Sequence, residues 1–331
     1  MARTGSVDRW IRRDGPGRSV SVMDTRPQTI TVDGLTRRFG DQTVVDQVSF
    51  TVPTGAMTGF VGGNGAGKTT TMRMIMGVLG ITAGEVRYGD GRITTADRRA
   101  FGYMPEERGL YPKQKILEQL VYLASLKGVD PAAAKAEATE LLERFGLVER
   151  TGDAVEKLSL GNQQRVQIIA AVMSRPVALI LDEPFSGLDP DAVDSMADLL
   201  REQTAKGVPV LFSSHQLDLV ERLCDRLVVL AQGQVRAQGT AAELRTAGPE
   251  RYRVTLGADA GWVRDLAGIH TVDVDGPTAL IELDPGGGPG AAAGVDPRID
   301  TLVRESLTRG GLRELTQVVP PLSDIYREVT A

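Results

Sequence analysis

Gly62-Gly63-Asn64-Gly65-Ala66-Gly67-Lys68-Thr69-Thr70 reads as a phosphate cradle. Its glycines let the backbone pass close to an anion with N–H groups turned inward, a path that side chains would obstruct. Gly59-Phe60-Val61 ahead of it ends an apolar strand, and Thr70-Thr71-Met72-Arg73-Met74-Ile75-Met76 behind it reads as a helix. The loop therefore delivers phosphate to a helix N-terminus, where free N–H groups and the dipole favour negative charge. Lys68 adds a point charge, and the hydroxyl of Thr69 stands where it can coordinate a magnesium ion bridging terminal phosphates. A glycine-rich turn without chemistry is the bland alternative; the strand before and the helix after argue against it.

The surrounding chain of 331 residues is long enough for about two domains. A composition of 41% hydrophobic and 24% charged residues excludes a fibrous or wholly disordered protein. Net charge is −5, from 38 basic and 43 acidic residues, which gives no electrostatic reason to expect a nucleic-acid partner. Cys224 is the lone cysteine, so neither an intrachain disulfide nor a cysteine metal cluster can form, and a reducing cytoplasm is expected. Apolar runs such as residues 177–181 and 168–173 fall far short of the roughly 20 residues that span a bilayer. Any membrane role must come through a partner. Residues 1–26 carry six arginines among Gly, Pro, Ser and Asp without an apolar core, and read as a disordered leader rather than a secretory signal.

Order is expected from about Thr29, with β-branched strands over 29–32 and 44–52. Phe39 lies between them on an expected turn, open to two readings, a core plug or a platform that stacks on a ligand. Residues 101–104 read as a strand that gives way to a polar loop at Pro105. Two helical patterns follow: Ile116, Leu120 and Leu123 on one, and a second starting at Asp130-Pro131 with Leu141, Leu142 and Phe145 on its apolar face. This helical insertion, about residues 105–160, is a surface for contacting something else. It ends in Leu158-Ser159-Leu160-Gly161-Asn162-Gln163-Gln164-Arg165, another turn feeding a helix, where Ser159 and Gly161 either cap the helix or bind a second anion. Val177-Ala178-Leu179-Ile180-Leu181 is a strand buried on both faces of a parallel sheet, ending in Asp182 and Glu183. At such a strand end, beside the phosphate loop, Asp182 can hold magnesium through water and Glu183 can polarise an attacking water. The strand over 208–212 runs into Ser213-Ser214-His215, which places His215 at the same edge.

Taken together over about residues 29–245, these motifs resemble the nucleotide-binding subunit of ATP-binding cassette (ABC) transporters. Residues 62–70 are similar to Walker A, Leu158-Ser159-Leu160-Gly161-Asn162 to the family signature, residues 179–183 to Walker B, Ser186-Gly187-Leu188-Asp189 to the D-loop, and His215 to the switch histidine. The resemblance implies an α/β P-loop ABC ATPase core with antiparallel β and helical subdomains over 27–247, ATP and Mg2+ as ligands, and ATP hydrolysis coupled to transport. It implies Lys68, Glu183 and His215 as catalytic residues, and Phe39, Asn64, Gly65, Ala66, Gly67, Lys68, Thr69, Thr70, Ser159 and Gly161 as nucleotide-binding ones, Phe39 stacking on adenine. Thr69, Asp182 and Glu106 would hold the metal. In the family two cassettes pair head to tail, so that the signature serine and glycine of one copy close over the γ-phosphate held by the other. A second cassette, expected to be identical, and a membrane permease on the cytoplasmic face of the cell membrane are the partners implied. Three positions depart from the pattern: Asn162 replaces a glutamine, Leu160 a glycine, and Glu106 the Q-loop glutamine. Together with Gly161-Asn162-Gln163-Gln164, Glu106 resembles the bacterial exporter branch that includes sodium-extruding ATPases, with sodium or a drug-like compound as expected cargo. An ABC ATPase acting on ribosomes or DNA, or a regulatory cassette, are the alternatives.

After a hinge near Thr246-Ala247-Gly248-Pro249, residues 248–331 read as strand, helix, strand, strand, helix, strand, the order of a split βαβ, ferredoxin-like domain. Pro321-Leu322-Ser323-Asp324-Ile325-Tyr326 resembles the closing helix of the C-terminal domain in exporters of that branch. The unit holds no catalytic constellation, and a self-contained regulatory or accessory domain is expected. The glycine-rich stretch 284–293 is expected to be a flexible loop.

Overall fold

The computed structural model describes residues 26–107, 109–246, 248–284, 296–309 and 311–330. The expected leader, but for Arg26, and the glycine-rich stretch beyond Asp284 lie outside the described residues. A hairpin of β1 (Ile30–Phe39) and β2 (Gln42–Val52) opens the fold, joined by the two residues Gly40 and Asp41. Phe39 is thus the last strand residue, not a turn residue. Next come β3 (Met57–Val61), α1 (Lys68–Ile75), β4 (Ala83–Tyr88), β5 (Gly91–Arg92), α2 (Thr95–Ala100) and β6 (Gly102–Met104). Strands β2-β1-β4-β5 form an antiparallel sheet.

The helical insertion contains α3 (Ile116–Leu126) and α4 (Pro131–Arg144). Asp130 accepts from the N–H groups of Ala132 and Ala133, with Pro131 fixing the first turn, so α4 starts where a cap and a preset φ coincide. The chain then returns through α5 (Leu160–Val172), β7 (Leu179–Leu181), α6 (Pro190–Ala205), β8 (Val210–Ser214), α7 (Leu217–Leu223), β9 (Arg226–Ala231), β10 (Gln234–Gly239) and α8 (Ala241–Thr246). A six-stranded sheet in the order β10-β9-β3-β8-β7-β6 forms the centre; every pair in it is parallel except β9/β10. Leu179, Leu181, Val210 and Phe212 face one hydrophobic cluster, which includes the helical insertion, while Ile180, Leu211 and Phe60 face another beneath the antiparallel sheet. Burial on both faces is why these strands read as continuous apolar runs.

The C-terminal residues add β11 (Arg251–Leu256), β12 (Ile269–Asp275), β13 (Thr278–Leu283), α9 (Pro297–Arg309), β14 (Leu312–Val318) and α10 (Leu322–Thr330). Their sheet, in the order β12-β13-β11-β14, is wholly antiparallel, as a ferredoxin-like order requires. The expected first helix is only a 3-10 turn over Gly261–Asp265, opened by Asp259 accepting from Gly261 N and followed by Gly268 at φ 76. Helix α10 does not close on this sheet's core. It sets Leu322, Ile325, Tyr326 and Val329, one helical face, against α7, α8, β9 and β10, and its Leu322 and Ile325 are buried in the same cluster as Leu219, Val220, Leu223 and Leu244 of the cassette. The expectation of a self-contained unit therefore needs correcting at its last helix. Arg251 joins the two, with Nε 2.6 Å from Glu282 on β13 and a terminal nitrogen 2.7 Å from Glu328 on α10.

Leu322→Ala should therefore destabilise the cassette by about 2–4 kcal/mol, the cost of truncating a buried leucine. Thermal unfolding followed by circular dichroism measures it; an unchanged midpoint would place α10 outside the cassette core.

Candidate functional site

The carboxyl ends of β3, β7 and β8 lie side by side, with Val61 in register with Ser214 and Leu181 with Phe212. That register brings the residues after each strand into one cavity, lined by Val44, residues 63–70, Glu106, Asp182 and Glu183. Gly67 caps α1 at φ 104, and a β-carbon there would sit 3.1 Å from Val44 O and 3.3 Å from Val45 Cγ2. Strand β2 thus presses the loop against the helix, and only glycine fits.

Lys68 is buried, with Nζ donating to Gly62 O at 2.6 Å and Gly63 O at 3.3 Å and lying 4.0 Å from Glu183 Oε1. Thr69 Oγ1 donates to Glu106 Oε2 at 3.2 Å. Asp182 is 1% exposed; its Oδ1 accepts from Ser213 Oγ at 2.5 Å, while its buried Oδ2 makes no close hydrogen bond among the described residues. Burial pushes the Asp182 carboxyl above the ordinary carboxylate range, against the pull of the Ser213 and Thr69 hydroxyls, and the charge of Glu106 adds to the rise.

Glu183 has φ 50, a left-handed conformation that costs a non-glycine residue about 1–3 kcal/mol. Its N–H donates to Ser213 Oγ at 2.8 Å, and its carbonyl accepts from Gln164 Nε2 at 2.8 Å and Ser186 N at 3.2 Å. The carboxylate is thereby turned toward Lys68 and toward His215, whose Nδ1 lies 3.0 Å from Glu183 Oε2.

Of the residues singled out in the sequence, Asn64, Gly65, Ala66, Gly67, Lys68, Thr69, Thr70, Glu106, Asp182 and Glu183 line one cavity, with His215 touching its edge. Phe39, Ser159 and Gly161 do not line it. The Phe39 ring is half exposed under the Arg37 guanidinium, 4.5 Å from ring centroid to Cζ. Ser159 is the N-cap of α5, its Oγ accepting from Asn162 N at 3.4 Å, and Gly161 sits in that helix's first turn. Sequence reading missed Val44, Ser213 and Gln164. Ser213 was legible as a hydroxyl at the end of a buried strand; Val44 and Gln164 carry no local signal.

A family model described as ABC transporter matches residues 45–186, and one described as an AAA domain matches residues 154–221. Over 241 residues the chain is 44% identical to the "Uncharacterized ABC transporter ATP-binding protein YhaQ" of Bacillus subtilis strain 168, covering 72% of this chain and 81% of that protein. The chain belongs to the ABC transporter ATP-binding proteins. It is 33% identical over 254 residues to the "Linearmycin resistance ATP-binding protein LnrL" of the same organism, covering 74% of this chain and 82% of the relative. A solved structure titled "Structure of ATP binding subunit of ABC transporter" superimposes with a TM-score of 0.62 at 35% identity, over 66% of this chain and 92% of that one. Members of this family bind ATP, and the fold found here is that of their P-loop cassette.

A carboxyl whose pKa is raised by folding is favourable when protonated and loses that contribution as pH rises through the folded pKa. Ser213→Ala removes a donor that lowers the pKa of Asp182, so the variant should be less stable by about 1.5–3 kcal/mol at neutral pH. The deficit should narrow as pH falls below the raised pKa, where the carboxyl is neutral in both proteins. Calorimetry in nucleotide- and metal-free buffer across that range checks both points.

Proposed function

We propose that this cassette is the ATP-hydrolysing subunit of a bacterial exporter, converting ATP-driven pairing of two cassettes into transport through a separate membrane permease. The observation that carries the reading is the meeting of Lys68, Thr69, Asp182 and Glu183 at one end of the parallel sheet. Loop residues 64–70 bind the phosphates through backbone N–H groups, and the Lys68 ammonium exchanges its carbonyl partners for phosphate oxygens. Thr69, Asp182 and Glu106 suit Mg2+: the buried Asp182 Oδ2, without a close hydrogen bond among the described residues, asks for a cation beside the Thr69 hydroxyl. Thr69, Asp182 and Glu106 would hold the ion from the protein side, and phosphate oxygens of the nucleotide would supply further ligands. An ion bound there would neutralise charge on the phosphates.

Glu183 orients water and accepts its proton, while His215 holds the carboxylate and turns to the γ-phosphate. Phe39 stacks on adenine. Ser159 and Gly161, outside this chain's own cavity, serve the nucleotide of a second copy, an arrangement that supports a head-to-tail homodimer. A permease docks beside the Glu106 loop, where Tyr111, Tyr122 and Leu126 are exposed next to an apolar groove lined by Pro105, Leu110 and Leu123. Among the described residues no helix is long and apolar enough to cross a membrane. The permease would hold the chain at the cytoplasmic face of the membrane. Domain limits follow as a cassette over 27–247 and a regulatory or accessory unit over 248–331 that lends α10 back to it. For cargo we propose sodium or a drug-like compound; the resistance named for the linearmycin relative favours the second. A non-transport ATPase or a regulatory cassette would lack a permease that stimulates turnover, and co-purification from membranes followed by ATPase assay separates the readings.

Glu183→Gln keeps the shape and removes the water-polarising charge, so it should accumulate an ATP-bound dimer. Sedimentation velocity with ATP and magnesium tests this; a variant that stays monomeric and turns over as fast as the parent refutes the role.

Glu106 stands at the position where the family pattern has the Q-loop glutamine, a carboxylate in place of an amide. Like charges about 4 Å apart repel by roughly 4 kcal/mol at an effective dielectric of about 20, so a carboxylate near the γ-phosphate raises the demand for magnesium. Glu106→Gln should lower the magnesium concentration for half-maximal hydrolysis while leaving the maximal rate nearly unchanged. Superimposable titrations of parent, Glu106→Gln and Glu106→Ala would exclude Glu106 from the metal's surroundings.

A further inference from the structure

The backbone at Glu183 is held in a conformation that an L-residue leaves unless both sides of it are fixed. On one side the fixture is Ser213, at the end of a neighbouring strand. On the other it is Gln164, a buried side chain from the second turn of α5, whose amide reaches the Glu183 carbonyl at 2.8 Å. Helix α5 begins with Ser159 and Gly161, and residues 161 and 164, three apart, share a face.

That first turn is fastened to the segment after Glu183 at further points. A β-carbon on Gly161 would lie 3.2 Å from Gly187 O, so the two backbones are close and a side chain there would crowd them. Leu160 packs its Cδ2 against Gly187, and Arg165 pairs with Asp189 at 3.1 Å. The turn bearing Ser159 is thus fastened to residues 183–189, and the amide of Gln164 is the link that ends on the strained residue itself.

From this we infer that Gln164 is a positioning residue for hydrolysis: it sets the direction of the Glu183 carboxylate according to where the Ser159–Gly161 turn stands. The inference rests on the proposed role of Glu183. Because that turn serves the second copy's nucleotide, occupancy of one site would then set the aim of the glutamate in the other, a coupling between sites that needs no change in the nucleotide contacts of either. A glutamine that merely fills space would give neither the aim nor the coupling.

The test compares Gln164→Ala and Gln164→Glu with the parent; the second keeps the shape but its ionised carboxylate cannot donate to a carbonyl. Both should lower kcat about tenfold, the effect of losing one buried hydrogen bond that acts on the transition state, while the ATP KM stays within about twofold and the melting midpoint stays near the parent's. In a Glu183→Gln background, Gln164→Ala should lower the residual rate by less than about twofold, because the group it aims is gone. The Hill coefficient for ATP should fall in Gln164→Ala. An unchanged kcat, a joint loss of kcat, ATP affinity and stability, or an equal tenfold loss with and without Glu183 would each overturn the inference. A parent without ATP turnover would overturn the proposed function and this inference together, whereas an active parent with an unaltered Gln164→Ala overturns this inference alone.

Discussion

Everything at the site depends on the in-register parallel pairing of β3, β8 and β7. Because these strands start and stop at nearly the same level, the phosphate loop, the Asp182-Glu183 pair and the Ser213-Ser214-His215 run all leave the sheet at one edge. The pairing is fixed in turn by burial on both faces. A slip of one residue would exchange Ile180 for Leu179 and Leu181 between two different clusters, and Leu211 for Val210 and Phe212. Side-chain packing several residues below the site therefore sets which polar groups meet above it.

The groups that meet are electrostatically unbalanced. Glu106, Asp182 and Glu183 crowd one lysine, and each finds partial relief locally: Glu106 at the Thr69 hydroxyl, Asp182 at Ser213, Glu183 at Lys68 and His215. Burial still drives the Asp182 carboxyl toward its neutral form. A site of this charge is suited to a divalent cation arriving with a polyphosphate, since the cation answers the carboxylates and the phosphates answer Lys68 and the loop N–H groups. The same crowding explains why the backbone at Glu183 is held by donors and acceptors from two other elements instead of relaxing.

Helix α10 ties the C-terminal residues to the cassette. α10 is the last regular element in the chain, yet its apolar face completes the cassette's core beside α7, which follows His215 directly. Arg251 then bridges that helix to the antiparallel sheet through Glu328 and Glu282. α10 rests on α7, the helix that follows His215.

Much of this was legible in the chain because the signals are local. A glycine-rich loop between an apolar strand and a helix, a buried strand ending in two acids, and Asp130-Pro131 before a helix each specify their own geometry through backbone freedom, burial or capping. The ferredoxin-like strand order was legible for the same reason, except where Gly261 and Gly268 hold the expected first helix to a single turn. Other features depend on partners distant in sequence, and packing alone settled them. Phe39 reads equally well as a plug or a platform until the fold around the hairpin leaves its ring half exposed. Residues 322–329 have a clear helical stripe, but a stripe does not name the surface it covers, and here it covers the cassette. Gln164 looks like any polar residue near the start of a helix. Its meaning comes from a carbonyl nineteen residues away whose left-handed conformation no propensity would have suggested. Periodicity and capping are written within a few residues of chain, whereas the aim of a buried side chain is fixed by whatever the whole fold brings against it.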